Sequence, residues 1–127
     1  MLIEYELYNK KHHISVMNDN NILRYCEFDS SNLEGTIFDS TFLNCTLRNL
    51  DWYWVMFNSC LFVDTLFEAS IFRGAGFYHC RFVNCRIIGC DFINDNLNGA
   101  CRFESSHWFN CTIQNSQGLP DSCLARR

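Results

Sequence analysis

The sequence predicts an all-β fold, a four-sided tube of short strands, and two observations carry that prediction. From Cys26 to Asn115 the chain divides into five-residue units whose third position is large and apolar. Eight of the nine cysteines fall in the first position of those units, where most other occupants are Ser, Thr or Ala.

The units read CEFDS, SNLEG, TIFDS, a short TFLN, then CTLRN, LDWYW, VMFNS and onward to DNLNG. One extra residue, Ala100, precedes CRFES, SHWFN and CTIQN. This frame puts Leu43 and Leu97 in third positions with Phe28, Phe62, Phe72 and Phe82. The stretch from Leu47 to Leu97 needs no shift and gives eleven consecutive apolar hits. At 48% apolar composition that has a chance of about 3 in 10,000. Ten of the 12 phenylalanines sit there.

A period of five forms no face on an α-helix, where each repeat advances by roughly 500°, and it is not the two-residue alternation of a straight strand. Within one unit, positions one and three of an extended chain point the same way, positions two and four point oppositely, and position five can turn a corner. Four units make a square coil with one small and one large side chain per side facing in. Residues 26–115 then make about four and a half coils, a rod roughly 22 Å long at the ~4.8 Å strand spacing.

Solenoid ends need covering. Residues 1–25 are expected to supply an N-terminal β cap: a partly alternating Leu2 to Leu7, a turn at Asn9-Lys10-Lys11, and a returning strand over Ile14 to Met17. Ile22 and Leu23 begin an imperfect unit. Residues 116–127 form a tail with Gly118-Leu119-Pro120.

These units resemble the pentapeptide-repeat family, whose usual unit reads Ala, Asp or Asn, Leu and two variable residues. The resemblance covers residues 26–115. Here Cys, Ser and Thr replace most of the alanine, and all are small. The resemblance implies a right-handed quadrilateral β-helix, often dimeric and rarely catalytic.

Nothing in the composition points to catalysis or to a membrane. The formal net charge is −4, and no basic nucleic-acid footprint is present, so direct nucleic-acid binding is not expected. No run approaches the ~20 apolar residues of a membrane span. MLIEYELY lacks the basic start of a secretory signal, so a cytoplasmic location with reduced thiols is expected. Cysteines five apart do not match the usual zinc spacing. Inward thiols leave His79 and His107 without a nucleophile to activate. No metal, cofactor or enzymatic activity is expected. Cys60, Cys80 and Cys101 are expected to stack in one column as packing groups.

Asp95 stands in a first position, where an unpaired buried charge is costly. With Ala100 close behind, residues 95–101 are expected to bulge outward while Asp95 caps loop N–H groups.

The outward positions are rich in apolar residues. Folding the units into fours puts Ile37, Met56 and Tyr78 on one side and Phe42, Leu61, Val63 and Val83 on the next. Trp54 lies at a nearby corner beside Tyr53. Phe42, Tyr53, Trp54, Met56, Leu61 and Val63 are therefore the candidate partner-binding residues. Residues 26–68 carry seven acidic residues against Arg48 alone, and Glu27, Asp29, Glu34 and Asp39 are candidates for an acidic stripe.

Two functions follow as expectations. The first is a protein-binding module whose partner is a second copy of itself or a bacterial protein such as a toxin that it neutralises. The second comes from the resemblance: some pentapeptide-repeat proteins mimic B-DNA, engage gyrase or topoisomerase, and give quinolone protection.

Overall fold

A computed structural model describes residues 1–9 and 20–120. Among them the secondary structure is strand and turn, with no helix. The strands are two or three residues long and pair in parallel with strands one coil away. The chain is the quadrilateral β-helix that the period of five predicts.

Four sides repeat along the tube. Side one stacks Leu2–Glu4, Ile22–Arg24, Thr41–Leu43, Leu61–Val63, Arg81–Val83 and His107–Phe109. Side two stacks Leu7–Tyr8, Glu27–Asp29, Thr46–Arg48, Leu66–Glu68, Arg86–Ile88 and Thr112–Gln114. Side three stacks Asn32–Glu34, Asp51–Tyr53, Ile71–Arg73 and Asp91–Ile93, with Gln117 bridging to Asp91. Side four stacks Ile37–Phe38, Met56–Asn58 and Gly76–Tyr78, with Arg102 bridging to Gly76.

The corner is made at position five. Asn44, Asn49, Asn84, Asn110 and Asn115 hold φ of 51–54°, and Trp54, Ala69 and His79 share the left-handed conformation. Asparagine tolerates that region better than most residues. The ladder runs through the bend: Asn44 N–H donates to Val63 O at 2.9 Å and Asp64 N–H to Val83 O at 2.9 Å.

Third-position rings stack along the axis. Phe42, Phe62, Phe82 and Trp108 lie face to face at 4.8, 4.9 and 5.2 Å between centroids. Phe57, Phe77 and Phe103 do the same at 4.7 and 5.1 Å. Neighbouring sides meet edge to face, as Phe62 does with Phe67, so the preferred aromatic geometries coexist in one core.

First-position residues do more than fill space. Cys80 Sγ donates to Phe57 O at 3.2 Å, Cys85 Sγ to Phe62 O at 3.2 Å, and Thr65 Oγ1 to Phe42 O at 3.3 Å. Ser106 Oγ donates to Phe77 O at 2.9 Å. A third-position carbonyl thus receives a side-chain donor from one coil further on, which Cys, Ser and Thr supply and Ala cannot. Buried carbonyls need such partners.

The structure departs from the expected frame in four places. The short unit is TIFD, not TFLN: Ile22 pairs with Thr41 and Phe42 stacks in the core, fully buried. Phe42 is therefore not an outward residue, and Leu43 takes the outward place. Second, residues 95–100 are an insertion of six. Phe82 pairs with Trp108 rather than with Phe103, and Leu97 is 79% exposed instead of inward. Third, the same insertion moves Cys101 to side four beside Ala75, so the corner column runs Cys60, Cys80, Ser106. Fourth, Leu2–Glu4 and Leu7–Tyr8 pair in parallel one coil below Ile22–Arg24 and Glu27–Asp29. Among the described residues the stack thus takes in Leu2–Glu4 and Leu7–Tyr8 and shows no break at Cys26. The expected turn at residues 9–11 extends, and the returning strand over 14–17 falls, outside the described residues.

Candidate functional site

Side one presents an apolar sheet face. Its second positions run Leu2, Ile22, Thr41 and Leu61, and its fourth positions run Leu43, Val63, Val83 and Phe109. Leu2, Ile22 and Phe109 are 53%, 43% and 64% exposed. Phe109 is the one phenylalanine of 12 that points outward, once Phe42 joins the core. A contiguous apolar face of this kind marks an interaction surface more often than isolated apolar residues do. Arg24, ion-paired with Glu4, and Arg81 and His107 give it a polar margin.

The six candidate partner-binding residues do not form one patch. Leu61 and Val63 lie on the side-one face. Met56 is half-buried on side four beside Ile37 and Gly76. Tyr78 folds back over Gly76 there: a Cβ on that glycine would stand 2.4 Å from the ring. Phe42 is core.

Tyr53 and Trp54 are engaged within the chain. Trp54 Nε1 donates to Asp95 Oδ2 at 2.6 Å, and Asn96 N–H donates to the Tyr53 hydroxyl at 2.7 Å. The two rings pack edge to face at 4.5 Å. Asp95 Oδ1 accepts the N–H groups of Leu97 at 2.8 Å and Gly99 at 2.7 Å. The expected capping by Asp95 is what the structure shows. The Gly99 N–H, the Trp54 indole and the Leu97 N–H hold its carboxyl below the ordinary carboxylate range. Gly74 makes room, since a Cβ there would stand 2.8 Å from Asp95 Oδ2 and 3.1 Å from the Trp54 ring. Leu97 stands at the loop tip.

The acidic candidates ring the tube rather than line it. Glu27 and Asp29 are on side two, Glu34 on side three, and Asp39 follows the short strand Ile37–Phe38 of side four. Glu27 pairs with Arg48 at 3.2 Å. Asp29 accepts from Ser30 Oγ at 2.7 Å and Asn49 Nδ2 at 3.2 Å, which lowers its pKa. Asp39 accepts the Asn20 N–H at 2.9 Å, beside the corner that lacks a fifth residue. Arg73 answers Asp51 at 3.0 Å on side three.

Among the described residues no three His, Cys, Asp or Glu side chains are grouped to hold a metal ion. His79 and His107 are exposed on different sides, while His12 and His13 lie outside the described residues. No helix among the described residues is long and apolar enough to cross a membrane.

Leu2, Ile22, Leu43, Val83 and Phe109 are face residues that the candidate set lacks. Leu43 was hidden by the misplaced short unit. The signal is in the sequence: moving the deletion one unit earlier, from after Asn44 to after Asp39, places an eleventh phenylalanine, Phe42, in a third position. Leu2 and Ile22 follow once the repeat is carried back to Met1.

No protein-family model matches the chain and no curated protein matches it. Among solved structures it is similar to trypsin-treated QnrB1, described as a plasmid-mediated fluoroquinolone resistance protein. The two are 12% identical, with 91% of this chain and 67% of that chain covered and a TM-score of 0.33. A likeness of that size carries no argument about function.

Proposed function

We propose that this chain is a non-enzymatic protein-binding module whose contact surface is the apolar face of side one. The observation that carries this reading is the ladder Leu43, Val63, Val83, Phe109, with Leu2, Ile22 and Leu61 beside it. The core rings and the paired ladder beneath make the face rigid before binding, which lowers the ordering cost of association. A large outward aromatic such as Phe109 is a typical anchor. The partner is a protein with an apolar counterface, either a second copy of this chain or a bacterial protein such as a toxin.

The test compares wild type with Val63→Glu, Phe109→Asp and the side-two control Arg86→Ala. Sedimentation gives the mass of each alone, and quantitative cross-linking in the native host gives its partners. The face substitutions are expected to remove self-association or a specific partner that the control retains. A monomer whose cross-linked partners are the same in all four proteins would sink the reading.

The pentapeptide-repeat pattern supports a second reading, a DNA mimic acting on gyrase, whose negative charge would be spread over sides two, three and four instead of drawn as one stripe. A supercoiling assay with and without fluoroquinolone tests it. No effect at micromolar protein would exclude it.

A further inference from the structure

We infer that Cys85 and Cys111 form a hydroperoxide-reactive thiol pair, a modification site that closes to a disulfide across the last two coils of side two. The two residues occupy the same corner on paired strands: Arg86 is in register with Thr112, and Thr112 N–H donates to Cys85 O at 2.9 Å. Residues so placed have Cα atoms about 4.8 Å apart, inside the disulfide range. Both thiols are free, and they occupy equivalent corner positions on neighbouring coils. Each also faces a backbone carbonyl, Phe62 O for Cys85 and Phe82 O for Cys111.

Access separates this pair from the others. Cys26 with Cys45, and Cys60 with Cys80, stack in the same way, but all four are buried. Cys111 is half-buried on the outermost strand of its sheet among the described residues, so a small oxidant can reach its sulfur. Among the described residues that strand is paired on one side only, so it can give the few tenths of an ångström that bond formation needs. Cys101 is also half-buried, but its corner neighbours are Ala75 and Val55, so it has no second thiol beside it among the described residues.

The electrostatics run the same way. The Cys85 side chain beside it brings the Cys111 thiol down to about 7, against the opposing effect of burial, while Cys85 itself is raised by Cys111 and by burial. Burial raises Cys101. The thiolate is the attacking form, so Cys111 is the first nucleophile and Cys85 the resolving thiol.

In the first step the Cys111 thiolate attacks the hydroperoxide, the O–O bond breaks, and the departing oxygen takes up a proton. Cys111 becomes a sulfenic acid. In the second step Cys85 loses its proton and attacks the Cys111 sulfur. The S–O bond breaks and the hydroxyl leaves as water. Two thiols and one hydroperoxide give one disulfide, one water and one alcohol, or a second water when the oxidant is hydrogen peroxide.

The experiment treats the reduced full chain with equimolar hydrogen peroxide under native conditions, then quenches in acid for intact mass and peptide mapping. The expected result is a loss of about 2 Da and a single Cys85–Cys111 cross-link. Cys111→Ser is expected to abolish the cross-link and Cys101→Ser to leave it intact. In Cys85→Ser, Cys111 is expected to persist as a sulfenic acid that a 1,3-dione probe traps. A link from Cys111 to Cys123 or Cys101, over-oxidation of Cys111 without a link, or an unmodified Cys111 would overturn the inference. The wild-type map decides this by itself if Cys85→Ser does not fold.

Discussion

The indole N–H of Trp54 donates to Asp95 Oδ2 at 2.6 Å across 41 residues of sequence, and this contact closes the corner loop. Trp54→Phe keeps the ring and removes the donor, and Asp95→Asn removes the charge. Both are expected to leave the coil folded and to speed proteolysis within 95–100, with faster amide exchange at Leu97 and Gly99. Gly74→Ala is expected to act similarly by pushing a methyl into the carboxylate. Equal protection of the loop in all four proteins would refute the clamp.

The same contact sets a pH dependence. The Asp95 carboxyl is lowered in the folded state, so its contribution is fully present above the ordinary carboxylate pKa of about 3.9 and is lost as pH falls through the folded value. Loop protection measured by hydrogen exchange is expected to decline in that acid window, and in Asp95→Asn to vary less with pH.

Phe42 and Leu43 are adjacent and opposite. Phe42→Ala is expected to cost about 3–5 kcal/mol by opening a cavity between Phe28 and Phe62. Leu43→Ser is expected to stay within about 1 kcal/mol and to weaken association through side one. Chemical denaturation of the two variants reads the frame directly, and a reversed order would restore the other one.

Phe72 and Arg73 make the same comparison on side three. Phe72→Ala is expected to cost about 3–5 kcal/mol. Arg73→Ala breaks the partly exposed pair with Asp51 and is expected to leave stability close to that of wild type. Similar melting losses in both would contradict the inward third position.

Thr65 tests the donor role of the first position. Its hydroxyl donates to Phe42 O at 3.3 Å or Val63 O at 3.1 Å. Thr65→Val keeps the shape and is expected to cost about 1 kcal/mol or more, while Thr65→Ser is expected to cost less. A Val variant as stable as wild type would return the position to a packing role alone.

The architecture was legible because periodicity is a local property: each five-residue unit states which way its side chains face. Register across an indel is not local. Phe42 and Leu43 are both apolar, so composition could not choose between them, and the choice lies in the pairing of Thr41 with Ile22. Sequence alone leaves Tyr53 and Trp54 without partners, because Asn96 and Asp95 are about forty residues away. The acidic residues were read as a stripe because they are near in sequence, yet successive units occupy successive sides. The cysteines were read as small and apolar. Their role as donors depends on third-position carbonyls one coil earlier, which only the coil brings beside them.

The six extra residues between Ile93 and Cys101 leave every later strand in its place, with Phe103, Trp108 and Ile113 each seated on the ring or chain one coil earlier. A bend of this tube is therefore a port where length can be added without disturbing the stack. Segments of quite different chemistry could be grafted there, or lost, while the shaft that carries them keeps its pitch and its faces.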